Sequence, residues 1–258
     1  MSSAIILYMK IRRSRKLFYY ITAALIILLA ALVTYVYTAE KAAAPTSRNT
    51  PKQARKAHSQ EFNKSKYSLD EPGSPWWIVS KKRPLTNGYI PPDLVTPSVS
   101  LNTSKSASEN TLRKDTAAAL EKLFAAAKLA GIDYILASGY RSEALQATYY
   151  NNYVAKSGQA EADRYSARPG TSEHQTGMSL DVATVDRKNY LDQAFGKDPG
   201  GAWLADHAHE YGFVIRYPEG KESVTGYMYE PWHIRYVGTD LAEQLYKNKQ
   251  TMEEFFGI

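Results

Sequence analysis

The sequence contains no cysteine. That single absence excludes thiolate catalysis, thiolate metal sites, disulfides and lipoprotein-type acylation. Histidine is scarce, with five in 258 residues, so any imidazole chemistry rests on few candidates. No internal repeat is present. A basic surplus is also missing from most of the chain. The formal charge of +6 comes from residues 1–71, which hold 12 Lys and Arg against 4 Asp and Glu. Residues 72–258 hold 20 against 22. A nucleic-acid surface needs its cations clustered on the folded part, so no nucleic-acid partner is expected.

The N-terminus has the one long apolar run. Residues 1–16 form a basic segment ending in Lys10-Ile-Arg-Arg-Ser-Arg-Lys16, and an uncharged stretch then runs from Leu17 to Tyr37. As a helix that stretch measures about 31 Å, enough to span a bilayer. Basic residues on its N-terminal side orient that end to the cytoplasm and send the remainder outward. Tyr19, Tyr20, Tyr35 and Tyr37 lie at its ends, where interfacial aromatics belong. The expectation is a transmembrane signal-anchor over 17–37. A cleavable signal peptide competes, because Ala42-Ala-Ala44 follows, but the run exceeds a usual h-region of about 7–15 residues. Residues 38–71 are polar and read as a flexible tether. A single domain over 72–258, beginning near the apolar cluster Trp76-Trp-Ile-Val79, should therefore work outside the cytoplasm.

Within that domain, Leu112 to Ala130 carries a helical apolar spacing stopped by Gly131. Tyr134 to Ser138 reads as a strand ending in Gly139-Tyr-Arg141. Ser142 can cap a helix from Glu143 to about Lys156, closed by Gly158. Residues 159–171 look like a polar loop. A strand follows over Met178 to Val185, then a helix over Ala202 to Tyr211, a strand over Phe213 to Tyr217, a strand at His233 and a helix from Thr239 to about Lys247. Strands and helices mix without a regular βαβ repeat. The fold class is expected to be α+β, a central and mainly antiparallel sheet flanked by helices.

The chemistry centres on Ser172-Glu-His-Gln-Thr-Gly-Met-Ser-Leu-Asp181 and, some fifty residues on, Glu230-Pro-Trp-His-Ile-Arg-Tyr236. A single histidine is more often a core or surface residue than a ligand. His58 falls in the tether, and His207 and His209 sit two apart on a helix, facing different ways. His174 and His233 differ, because each has a carboxylate nearby and stands where a loop meets a strand. Two imidazoles and a carboxylate, His174, Asp181 and His233, form a common catalytic zinc set with one open position. Glu230 would then be the base that takes a proton from the water. Arg141 is either a solvated surface residue or a donor of fixed hydrogen bonds to a carboxylate or developing oxyanion. Gln146, one helical turn on, can face the same cleft. Ser172 either holds substrate or caps its loop, and Tyr140 and Tyr150 are candidates for the cleft wall.

Taken in order, these motifs resemble the VanY-type D-alanyl-D-alanine carboxypeptidases, zinc peptidases of the Hedgehog/DD-peptidase fold. The resemblance runs from about Trp76 to Gly238. It includes Trp77-Ile-Val-Ser-Lys-Lys-Arg-Pro-Leu85, Tyr89-Ile-Pro-Pro-Asp-Leu94, Ser138-Gly-Tyr-Arg-Ser142, the two stretches above and Tyr211-Gly-Phe213. It implies one zinc ion on His174, Asp181 and His233, with Glu230 as catalytic base and Arg141 steadying substrate oxygens beside Gln146 and Ser172. It further implies a monomeric enzyme at a bacterial cell membrane that removes the C-terminal D-Ala from peptidoglycan stem peptides. An L,D-carboxypeptidase acting on tetrapeptides and a non-catalytic zinc-containing wall-binding module are the alternatives. Glu230 speaks against the last, since a binding module needs no base. Two positions depart from the family's usual residues, Ser80 for Asn and Ser179 for Ala or another small residue, and are expected to bear on substrate fit.

Overall fold

The computed structural model describes residues 62–86 and 88–258, together with Thr34. The expected membrane span at 17–37 and most of the tether lie outside the described residues. Among the described residues no helix is long and apolar enough to cross a membrane.

Leu94–Val95 (β1) pairs antiparallel with Leu112–Arg113 (β2), which leads directly into the helix Lys114–Leu129 (α1). The main sheet has the order β3-β4-β6-β5, built from Tyr134–Ser138, Ser179–Thr184, His233–Tyr236 and Phe213–Ile215. Every neighbouring pair in it is antiparallel, as expected. Period-two alternation decides what each face carries. Leu180, Val182 and Ile234 point into the main core with Leu120, Leu123 and Phe213. Asp181 and His233 therefore share the other face, and they are direct cross-strand partners.

The helices flank this sheet. Glu143–Ser157 (α2) starts at Ser142, whose hydroxyl accepts from the Leu145 amide at 3.2 Å, and closes at Gly158. Gln159–Tyr165 (α3) is a helix where a loop was expected. Good helix formers and one buried contact, Ala162, suffice there because Tyr165 packs edge-on against Tyr153 of α2. The expected helix over 202–211 is Pro199–His207 (α4) followed by a 3-10 turn, Ala208–Tyr211. Glu222–Thr225 (α5) is a single turn. Thr239–Asn248 (α6) forms as expected, and Met252–Phe256 (α7) is an additional helix opened by a capping box between Thr251 and Glu254.

A second cluster joins Trp76, Ile78, Leu241, Leu245, Met252 and Phe255. Phe62 and Leu69 pack against it, and Phe62 stacks on Trp76 at 5.4 Å between ring centroids. The fold thus begins by Phe62, before the expected tether end at residue 71. Two of the few sizeable apolar residues of that polar stretch are half-buried against the second cluster.

Candidate metal centre

His174, Asp181 and His233 come together on the cleft face of the sheet, all buried. His174 lies on a 3-10 turn, Glu173–Thr176, that ends at Gly177 in the left-handed region (φ 68°). A side chain at Gly177 would be strained in that conformation, and its Cβ would press on Arg113 and Leu94. The Nδ1 of His174 is 2.7 Å from the Gly139 carbonyl. A carbonyl only accepts, so Nδ1 carries the proton and Nε2 is left as a free lone pair. Gly139 is fixed in turn, because a Cβ there would fall 2.5 Å from the Thr111 carbonyl oxygen.

His174 Nε2 is 3.5 Å from Asp181 Oδ1, and His233 Nδ1 is 3.1 Å from that same oxygen. Tetrahedral zinc with bonds of about 2.0–2.2 Å sets its ligand atoms roughly 3.3 Å apart. The three side chains fit such an ion in chemistry and in spacing. Two of the three charge states already suit a cation, those of His174 and Asp181. Burial drives the His174 imidazole toward its neutral form. Burial opposes charge on His233 as well, but Asp181, Glu173 and Glu230 outweigh it and lift this imidazole to about 9. Asp181 is buried yet stays well below the usual carboxylate range, because the two imidazoles hold it ionised. A proton on His233 therefore occupies the place that a cation would take.

Glu230 is buried in the cleft wall, with its amide on the Tyr217 carbonyl at 3.0 Å and its own carbonyl accepting from the His233 amide at 3.2 Å. Burial pushes its carboxyl up to about 8, where a group can both take and return a proton near neutral pH. Arg141 lies three residues past the end of β3, the strand that flanks Asp181. A register irregularity between Leu136 and Ser138 sets Ser138 opposite Asp181, and Arg141 Nη2 lies 3.9 Å from Asp181 Oδ2. Its guanidinium donates to Gln146 Oε1 at 2.8 Å and to Ser138 Oγ at 3.0 Å, while the buried Nε has no partner.

These groups line one cleft of about 640 Å³. Arg141, Gln146, Ser172, His174, Asp181, Glu230 and His233, all expected at the site, border it. Gln146 touches Arg141 and hands its own amide to the Ala167 carbonyl at 2.6 Å, so it braces the guanidinium. The Ser172 side chain does not cap its turn. Tyr140 requires correction. It is buried but does not border the cleft, and neither does Tyr150, whose hydroxyl donates to Asp163. The wall is instead lined by Tyr149, whose ring lies 5.1 Å beneath the Arg141 guanidinium, and by Tyr153. Gln146, Tyr149 and Tyr153 recur at i, i+3 and i+7 on α2, a periodicity that was available in the sequence. The expectation for Ser179 also changes. This residue is buried under the cleft floor, where its hydroxyl donates to Glu173 Oε2 at 2.9 Å.

Comparison with known proteins gives this geometry its context. The family described as VanY, D-alanyl-D-alanine carboxypeptidase, matches residues 109–239. YodJ of Bacillus subtilis (strain 168) is 38% identical over 224 residues, covering 85% of this chain and 82% of that protein. The chain belongs to the VanY family. It is a metallocarboxypeptidase, and its fold matches solved members. The structure of the LdcB LD-carboxypeptidase, concerned with peptidoglycan recognition, aligns with a TM-score of 0.68 at 40% identity over 72% of this chain and 87% of that one. A mutant of the D,D-pentapeptidase VanY in complex with Zn(II) aligns with a TM-score of 0.58 at 29% identity, over 69% and 97%.

Proposed function

We propose that this enzyme releases the C-terminal D-Ala of peptidoglycan stem peptides at a single zinc ion held by His174, Asp181 and His233. The observation that carries the reading is the convergence, in one cleft, of that triad, the buried Glu230 carboxyl and an Arg141 guanidinium with an unused N–H. Zinc, when bound, supplies Lewis acidity toward the scissile carbonyl and acidifies the attacking water. Glu230 accepts the proton of that water and delivers it to the amine of the departing D-Ala, so that one water is consumed and one carboxylate forms. Arg141, braced by Gln146 and Ser138, offsets negative charge on the substrate oxygens as the carbonyl becomes tetrahedral. Ser172 and Gln146 border the same space and complete the peptide seat.

Two cleavage positions have support. The family description and the VanY structure favour the D,D bond of pentapeptide stems. The higher identity and TM-score to LdcB favour the L,D bond of tetrapeptides, and we place that reaction first. Incubating the purified full chain and zinc with defined tetra- and pentapeptide stems, then weighing the products, tests both. Loss of D-Ala from tetrapeptide alone fits the L,D reading, and loss from pentapeptide alone fits the D,D reading. Zinc binding without release from either stem would return the protein to the wall-binding class.

The basic segment and the apolar run at 17–37 support a further part of the proposal, a single-pass anchor with the catalytic domain outside a bacterial membrane. Protease added to the outer face of the membrane should cut within 38–61. A segment protected there would refute this orientation.

A further inference from the structure

Beneath the cleft floor lies a cluster of buried charge. Glu173, Arg216, Arg235 and Glu253 are all buried, and the two arginines balance the two carboxylates. Arg216 pairs with Glu253 through both terminal nitrogens, at 3.0 and 2.6 Å. Glu173 is shared. Its Oε1 accepts from Arg216 Nε at 2.8 Å and from Arg235 Nη1 at 3.0 Å, while its Oε2 accepts from Ser179 at 2.9 Å. A carboxylate offers about four lone-pair positions, so three are filled and one remains, on Oε2. That oxygen faces His233 Nε2 at 3.7 Å, and this nitrogen is buried and has no hydrogen-bond partner. On the far side of the same ring, Nδ1 faces Asp181 and the ligand cluster.

We infer that Glu173 is the positioning residue for His233, the acceptor that keeps a proton on Nε2 and so presents the Nδ1 lone pair to the metal. The inference rests on the zinc reading above. It gives the two ligand imidazoles matching supports of different chemistry. His174 is held by a neutral backbone carbonyl through Nδ1, and His233 by an anionic side chain through Nε2. Ligand histidines commonly need such an acceptor, because it fixes the tautomer and raises the basicity of the coordinating nitrogen. Ser179 and the two arginines keep the Glu173 carboxylate pointed at the ring, which gives the Ser179 hydroxyl a purpose away from substrate.

Zinc affinity of the full chain, measured by competition with a chromophoric chelator, provides the test. Glu173→Gln should weaken zinc by about 10–100-fold, the usual cost of losing a ligand's supporting partner. Glu253→Gln disturbs the same buried arginines without facing His233, and it should leave zinc affinity within a few-fold. An equal loss in both variants would reduce Glu173 to a structural member of the cluster and overturn the inference. So would unchanged affinity in Glu173→Gln. A second readout does not depend on either variant folding. In zinc-loaded wild-type protein labelled with ¹⁵N-histidine, His233 should coordinate through Nδ1 and show an exchange-protected, downfield Nε2 proton. Coordination through Nε2, or a freely exchanging Nε2 proton, would overturn the inference even if Glu173→Gln cannot be made. A wild-type chain that binds no zinc would instead defeat the metal reading beneath it.

Discussion

Replacing Glu230 with glutamine separates chemistry from folding and from metal binding. Burial raises this carboxyl from 4.5 to about 8, so at pH 7 the metal-free protein already holds it neutral. Glutamine is neutral at every pH and nearly the same shape. At pH 7 the exchange should therefore cost no stability and leave the three candidate ligands in place. The sign of the pH effect follows from linkage. The folded state binds this proton more tightly than the unfolded one, so its contribution is full below about pH 4.5 and is lost as pH rises through about 8. At 1.36 kcal/mol per decade the loss is on the order of 4–5 kcal/mol. Metal-free Glu230→Gln should then melt close to wild type at pH 5 and progressively above it towards pH 9. Because Glu230 also helps hold the His233 proton, the difference between the two melting curves reports the Glu230 titration together with its coupling to His233. Turnover should move the other way. Losing a positioned proton acceptor costs about 10²–10⁴ in rate, or roughly 3–5 kcal/mol, with zinc content unchanged. Metal content by mass spectrometry and D-Ala release, measured on one preparation, decide the matter. Full zinc with near-normal turnover would end the role of Glu230 as base. A melting difference that does not change with pH would refute the buried neutral carboxyl.

Arg141→Lys keeps the charge beside Asp181 but cannot reproduce the fork that reaches Gln146, Ser138 and the substrate together, so zinc should stay while turnover falls by about 10²–10³. Unchanged turnover would make this arginine a wall residue only. Zinc uptake should release a proton below about pH 9, because a ligating imidazole must be neutral and His233 is protonated up to that value in the metal-free protein. Apparent zinc affinity should therefore climb with pH and level off above about 9. An affinity independent of pH between 7 and 9 would show that His233 is not a ligand.

Much of the candidate site could be read from the chain alone because its candidate ligands lie in short segments whose period is fixed by local geometry. Asp181 and His233 each sit in a strand, and alternation in a strand assigns faces whatever the rest of the fold does. Ser142 and Gly158 bounded α2, and Gly212 closed the turn after α4, through local backbone chemistry. The residues that escaped are those whose meaning is set by distant partners. Glu173 reads as one more polar loop residue until Arg216, Arg235 and Ser179 surround it, and a buried carboxylate cannot be told from a solvated one without its neighbours. Tyr140, beside Arg141 in sequence, is buried outside the cleft lining, while the ring of Tyr149, eight residues past Arg141, lies against its guanidinium. Phe62 and Leu69 looked too sparse to fold, and they are ordered by α6 and α7 at the far end of the chain. Spacing in the sequence picked out the candidate ligands, the proposed base and the strand faces. Tertiary structure decided which charges are buried together and which aromatics wall the cleft, because those energies exist only between residues that folding brings into contact.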